Sequence, residues 1–571
     1  MALIDGGTLV VKALKNEGIS HIHGQIGFYV SPIFAACSNL NLPIYDTRHE
    51  QAAVHMAEGY AQVTGKIGVA VLTGGPGFIN AIGGIVKCYE SNTPVLVIIG
   101  AFDPGRKDVG GLEDINQLDI IKQHVNWCAT IYNTKRIPEY ISMAIRNAYI
   151  GQKGPVVLEI PIPYLLNKVE ETDICWPHKF GTDAEIYGDV NKIKEAVKLL
   201  YQAERPVILA GDAIFYDHAE EELTRFIEQT NIPVLTADLG RGVLPDSHDL
   251  CFASGRTIEG GPQLYAWKHA DYIMILGKHL DYSVSFGKAP IFGEHQIKVQ
   301  IDIEGKEIGK SSAAIDIGII GNTNTVLRQF REELNIDKKI NQDKFKKWHK
   351  ELKTVYESFY TNLREQAVIK KSPVHPISIF RAIDKVIPEN RILVLDGSNA
   401  MFWGSLLFSC NETDSLLIGP NGTFGPMGTG LPVALGAKIA APEKTVILYS
   451  GDGSLGFNLS EIDSAVRCGI KIVIIVHNDA AWGFCKDTQR CLFGNVASEY
   501  ATNLGFVSYE KVVIALGGYG EMIDHADTLE AALHRAVQSK TIACINIMTD
   551  GVMSPGAKFL NKSLRDAGCS N

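Results

Sequence analysis

The 571-residue chain has no C-x-x-C pair, no basic block, no long apolar run and no low-complexity tract. Each absence excludes something. Its eleven cysteines are scattered, and several, such as Cys468 and Cys544, lie inside apolar runs. That excludes a disulfide framework or a zinc site and predicts reduced, buried thiols and a cytoplasmic location. The 54 Lys and Arg against 64 Asp and Glu leave a net charge of −10, which argues against nucleic acid or an anionic membrane as the main partner. The longest apolar stretches are strand-sized, so no membrane-spanning helix is expected. The opening MALIDGGTLVVKALKNEGI lacks a signal peptide's charged start and apolar core, and the closing GCSN is neither a prenylation box nor a peroxisomal address.

What is present is a hydrophobic content of 46% in a chain long enough for three ordinary domains. Residues 1–168 alternate helix and strand patterns and end in the strand GPVVLEIPIPY. The polar stretch NKVEETDICWPHKFGTD reads as a linker. A second block over 188–340 contains the strand-like PVILAGD, IPVLTAD, YIMILG and KVQIDIE. The charged amphipathic FKKWHKELKTVYESFYTNLREQ then leads to SPVHP and a third block over 370–555, with 556–571 as a tail. The expected fold is α/β, with three consecutive doubly wound parallel-sheet domains.

The third block carries the most informative segment. After the apolar run KTVILY comes GDGSLGFN, which places Asp452 between Gly451 and Gly453 where a strand hands over to a helix. Glycines let backbone N–H groups approach a phosphate, and a carboxylate between them would repel it. A cation between Asp452 and the phosphate removes the contradiction. The next strand-like run, IKIVIIV, ends in HNDAAWG, so Asp479 also lies just past a strand end. If the two strands are neighbours in one parallel sheet, both carboxylates emerge at its carboxyl edge. Two carboxylates, phosphate oxygens and water suit octahedral Mg²⁺ on a diphosphate. In the first block, LPIYDTRHEQAAVHMAEGYAQVTG places Glu50 at the start of an amphipathic helix with Ala53, Val54, Ala57 and Tyr60 at helical spacing. Glu58 reads as a glutamate stabilised by the helix dipole.

The segments GGTLVVKAL, DTRHEQAA, TGGPGFINA, ERPVILAG, GPMGTGLPVALGA and GDGSLGFNLSEIDS, in this order, make the chain resemble the thiamine diphosphate-dependent enzymes of the acetolactate synthase and pyruvate oxidase type, closest to benzaldehyde lyase. The resemblance implies a thiamine diphosphate-binding fold with Mg²⁺ on Asp452, Asp479 and the Ala481 carbonyl. The family usually has asparagine where this chain has Asp479. Gly425 and Met427 would receive the cofactor's amino group and hold it bent, and Gly451, Gly453, Ser454 and Trp482 complete the cofactor-binding set. Glu50 would exchange a proton with the pyrimidine ring nitrogen, which makes the cofactor's own nitrogen the base beside the thiazolium C2. Glu50 and Asp452 would meet across a subunit interface, implying a homodimer, often paired into a tetramer. The stretch GKHLDYSVSFGK lacks a flavin-contacting pattern, which argues against bound FAD.

Around the reacting carbon the resemblance places Gln25, Ile26, Phe28, Tyr29, Glu113 and Phe484. Benzaldehyde lyase has histidine at the positions of Ile26 and Tyr29, alanine at Phe28 and Phe484, and glutamine at Glu113. Two added phenyl rings predict a smaller pocket, and Tyr29 and Glu113 remain able to exchange protons. The expected activity is a carbon-carbon lyase or carboligase acting on small 2-hydroxy ketones, aldehydes or 2-oxo acids. Acetolactate synthase or a 2-oxo acid decarboxylase is the second reading. A lyase of the 2-hydroxyacyl-CoA or oxalyl-CoA type is the third, weakened by the missing basic patch, and a catalytically silent homologue is the reading of another class.

Overall fold

The β-branched runs before Asp452 and Asp479 form the parallel strands Thr445–Gly451 and Val473–Asn478, which are direct neighbours paired from Ile447 with Val473 to Gly451 with His477. They belong to one of three six-stranded parallel sheets. The computed structural model describes residues 3–177, 185–337, 343–367, 371–387, 389–412 and 415–568. The linker stretch 178–183 and the last three residues of the tail lie outside them. The rest of the tail is the helix Pro555–Gly568, whose Ala557 is fully buried.

The first sheet runs, edge to edge, through Ile44–Asp46, Ile22–Gly24, Gly68–Leu72, Val95–Ala101, Val156–Pro161 and Trp127–Thr130. The third runs through Leu416–Ile418, Arg391–Asp396, Thr445–Gly451, Val473–Asn478, Ala543–Met548 and Tyr519–Ile523. Numbered within each sheet, both have the order 2-1-3-4-6-5, a repeat of topology that no repeat of sequence announces. The middle sheet has the order 3-2-1-4-5-6 of dinucleotide-binding folds, with Pro206–Ala210 and Tyr272–Leu276 side by side at its centre. Among the described residues no helix is long and apolar enough to cross a membrane.

The helix Glu50–Thr64 departs from its amphipathic pattern. Nearly all of its residues from Glu50 to Val63 are buried, because it is clamped between its own sheet and the third-block helix Gly430–Ala440. Their backbones touch at two glycines. A Cβ on Gly59 would collide with the Val433 carbonyl, and one on Gly436 with the Met56 carbonyl.

Glu58 is also corrected. It sits in the middle of this helix, not in its first turn, and is fully buried with the ammonium of Lys87. His55 Nδ1 lies 2.9 Å away and Gln62 Nε2 donates at 3.0 Å. Lys87, from the helix Pro76–Glu90, offsets the desolvation of the carboxylate, and Glu58 is held below the ordinary carboxylate range. Removing one partner of such a pair strands the other charge. Lys87→Met is therefore expected to cost about 3–5 kcal/mol of stability, read from the urea midpoint, and an unchanged midpoint would contradict this account.

Candidate active site

The two strand-end carboxylates emerge at the same sheet edge. Asp452 and Asp479 follow adjacent parallel strands, Asp452 buried and Asp479 half-buried, and line one cleft with Gly451, Gly453, Ser454, Ala481, Trp482 and Phe484. Burial first and Asp479 second push Asp452 up to about 7. Burial likewise pushes Asp479 up to about 6, and the Ala481 amide reaches both carboxyls. Among the described residues no Lys, Arg or His pairs with either one. Two side-chain carboxylates alone make no closed metal cage, and none is formed by side chains among the described residues. The remaining ligands therefore have to come from backbone, water and a bound phosphate.

The glycines differ in the space around them. A Cβ on Gly451 would meet nothing within 4 Å, while one on Gly453 would strike the Trp482 ring. The chain is thus open at Gly451 and braced by Trp482 at Gly453. The segment FGPMGTG bends back over the cleft with Gly425 and Gly428 at φ of +61° and +82°. Met427 lines the cleft, and Gly425, with open space around it, is not among the lining residues. Asp396 holds this loop from below, accepting the N–H of Gly397 at 2.7 Å, of Gly428 at 3.2 Å and of Gly430 at 2.8 Å.

Sequence reasoning missed Asp396, although VLDGSN carries the same signal as the GDG segment, an apolar run that ends in an acid and a glycine. It also missed His477. The Tyr449 hydroxyl and His477 Nδ1 share a hydrogen bond of 2.8 Å, and the His477 Nε2 is buried without a partner at the cleft. Burial brings this imidazole down to about 4, so it is neutral at physiological pH.

The first block contributes a second cluster. Glu50 opens its helix, and Asn80 Nδ2 donates to it at 3.0 Å. A Cβ on Gly77 would lie 3.1 Å from Glu50 Oε1, and one on Gly75 would lie 2.5 Å from the Glu113 Cβ. The TGGPG turn therefore brings Glu50 and Glu113 together, and burial with the nearby Glu50 raises the Glu113 carboxyl above its ordinary range. The Tyr29 hydroxyl is tied up, donating to the Leu112 carbonyl at 2.5 Å and fixing the loop that carries Glu113. Gln25 Oε1, Thr73 Oγ1 and Glu113 Oε2 are buried and unpartnered. Three orphaned polar atoms beside a helix-opening glutamate fit a polar heterocycle better than a packed core.

Among the described residues the two clusters do not line the same cleft. The cleft of the two carboxylates is lined from residues 397 to 485, so Glu50 is absent from it. Ile26 and Phe28 are 64% and 68% exposed. Phe28 rests on Tyr29 with ring centroids 5.3 Å apart, whereas Phe484 packs towards Phe402 at 6.2 Å on the far side. The residues named around the reacting carbon thus fall into two groups.

Similarity to known proteins follows the same division. Residues 4–120, 193–330 and 396–547 match the N-terminal TPP binding, central and C-terminal TPP binding domains of thiamine pyrophosphate enzymes. An acetolactate synthase large subunit from Buchnera aphidicola subsp. Acyrthosiphon pisum is 30% identical over 550 residues, 94% of this chain and 93% of its own. A Mycobacterium tuberculosis acetolactate synthase large subunit is 29% identical over 556 residues, 95% of each chain. Human 2-hydroxyacyl-CoA lyase 1 is 27% identical over 559 residues, 96% of this chain and 95% of its own. Likeness along the whole length, together with a strand-end acid pair and an orphan-lined glutamate in the two matching cofactor-binding blocks, places this chain among the thiamine diphosphate-dependent enzymes of the acetolactate synthase and pyruvate oxidase type.

Proposed function

We propose that the protein is a Mg²⁺- and thiamine diphosphate-dependent carbon-carbon lyase or carboligase acting on small 2-oxo acids, aldehydes or 2-hydroxy ketones. The pair of Asp452 and Asp479 at one sheet edge, with no Lys, Arg or His paired to either among the described residues, carries this reading. Bound thiamine diphosphate supplies a thiazolium carbon that makes or breaks carbon-carbon bonds beside a carbonyl. Asp452, Asp479 and the Ala481 carbonyl would hold Mg²⁺, while Gly451, Gly453 and Ser454 take the diphosphate and Trp482 walls it in. Met427 and the Gly425 carbonyl orient the cofactor's bend. Glu50, steadied by Asn80, holds and moves a proton at the pyrimidine nitrogen. Glu113, with a raised proton affinity, and Gln25 face the reacting carbon, and Tyr29 sets the position of Glu113.

The separation of the Glu50 and Asp452 clusters supports a homodimer or homotetramer in which each site joins the first block of one subunit to the third block of its partner. Flavin is not part of the reading. In the middle block Lys278 is neutralised by Asp238 at 2.9 Å and Asp281 at 2.7 Å, and Arg256 lies between Asp238 and Glu259, so these cations are not free for a pyrophosphate.

One observation favours the acyl-CoA reading as the alternative. No basic block exists in the sequence, yet the fold gathers Lys153, Lys306 and Lys310 around a cavity of about 800 Å³ between the first and middle blocks. Glu304 and Glu307 line it too, and Glu307 pairs with Lys310, so the cavity is mixed in charge.

A panel of pyruvate, small aldehydes, benzoin and a 2-hydroxyacyl-CoA, assayed with thiamine diphosphate and Mg²⁺, separates these readings. Turnover of two- or three-carbon donors is expected. If the CoA ester alone turned over, the alternative would replace the first reading. Phe484→Ala is expected to shift relative kcat/KM towards benzaldehyde or benzoin by roughly 10- to 100-fold, because removal of the ring admits the larger transition state. Its stability cost should be below the roughly 3–5 kcal/mol of a fully buried phenylalanine. A parent that already prefers benzoin would show that the site is not narrowed, and the likeness to benzaldehyde lyase would then extend to its substrate.

A further inference from the structure

Glu461 has no part in the reading above, yet its side chain is fully buried. It opens the third-block helix Glu461–Arg467, just after the GDGSLGFN segment. Its carboxylate reaches into the first block and accepts the backbone N–H of Arg48 at 3.1 and 3.2 Å and of His49 at 3.0 Å. Ser464 Oγ donates to the same group at 2.7 Å. Arg48 and His49 are the two residues before Glu50, and their amides lie ahead of the first helical turn, where no carbonyl of the helix can accept them.

The grip extends along the turn. Arg48 Nε donates to Asp463 at 2.6 Å, Arg467 Nε donates to the same carboxylate at 2.8 Å, and Arg467 also binds Asp46. The charged groups facing Glu461 and its turn are thus Arg48, His49, Asp463, Arg467 and Asp46. The outer pairs are half-exposed and individually weak. Glu461 is different, because a buried carboxylate that accepts two main-chain amides fixes backbone direction and would be costly to leave unpaired.

We propose that Glu461 is the positioning residue for Glu50. It sets the backbone of the Arg48–His49 turn, and thereby the direction in which the Glu50 carboxyl leaves the helix start. This rests on the proton-relay role of Glu50 proposed above. On that reading the segment following the diphosphate loop has a second task within the same chain, as the seat of the relay glutamate.

The test uses the full-length protein and three measurements on Glu461→Ala, Glu461→Gln and Glu461→Asp. Deuterium uptake at the Arg48 and His49 amides, taken without cofactor, should rise in Glu461→Ala and Glu461→Asp, which lose or retract the acceptor. Glu461→Gln keeps one oxygen for the amides and can donate to Ser464, so it should restore protection. Affinity for thiamine diphosphate with Mg²⁺ should stay within about threefold of the parent in every folded variant, because Asp452 and Asp479 are untouched. Exchange of the cofactor's C2 proton should slow by roughly 10- to 100-fold in Glu461→Ala and recover in Glu461→Gln. If Glu461→Ala does not fold, Glu461→Asp carries the same comparison. Faster amide exchange with a parental C2 rate would reduce Glu461 to a structural cap and overturn the proposal, as would unchanged amide protection. A parent without C2 exchange would remove the relay reading itself, and this inference with it.

Discussion

Asp452→Ala is expected to give a folded protein that no longer retains thiamine diphosphate with Mg²⁺. In the proposed metal site the carboxylate and the diphosphate would hold the same cation, so loss of the carboxylate would leave Asp479 and a backbone carbonyl to hold a metal beside the charged diphosphate. The fall in affinity should exceed the roughly 10- to 100-fold that loss of an outer-shell metal partner costs. Folding should not suffer, and the sign can be worked out. Burial and Asp479 raise Asp452 from 3.8 to about 7, so the folded, metal-free protein binds more protons than the unfolded chain between those values. Its stability therefore falls as pH rises through that window, and removing the carboxyl relieves the loss. Melting curves of the metal-free parent and variant between pH 4 and 7 check this, with Mg²⁺ expected to flatten the parent's curve. Undiminished cofactor binding by Asp452→Ala would refute the metal assignment.

Glu50→Gln is expected to bind cofactor normally and to exchange its C2 proton on the order of 10²- to 10⁴-fold more slowly, the span that positioned proton transfer contributes. The amide keeps the shape of the side chain and an oxygen for Asn80, but it has no proton to pass to the ring. Because Glu50 is buried at the start of a helix that the third block clamps, local rearrangement offers no ready way around the loss of its proton. Acid-quench NMR of the C2 position is the measurement. A parental rate would return Glu50 to the status of a helix-start glutamate held for its dipole.

The acid pair was legible in the sequence because both signals are local: a β-branched run, then a carboxylate beside glycines. The strand order 2-1-3-4-6-5 then makes those two runs neighbours. Glu50 was legible as a helix start for the same reason. Glu58 was misread because its partner Lys87 lies on another helix, and nothing within its own turn distinguishes a buried glutamate from a solvated one. The burial of most of the Glu50–Thr64 helix depends on Gly436 in another block, and the lysines of the large cavity are scattered over more than a hundred and fifty residues. Phe28 and Phe484 were expected in one pocket, but one chain places them apart. In the proposed shared site a second subunit would join them, and a single sequence pattern does not encode that joint.

That joint can be tested directly by mixing the two inactive proteins, Glu50→Gln and Asp452→Ala, under conditions that exchange subunits. In a mixed dimer with sites built across the interface, one site combines intact Glu50 from one chain with intact Asp452 from the other, and its counterpart carries both defects. Random exchange should then restore about a quarter of the parental thiamine diphosphate-dependent turnover, since half of the dimers are mixed and half of their sites are whole. No recovery from a mixture shown to contain mixed dimers would contradict a thiamine diphosphate site shared between subunits.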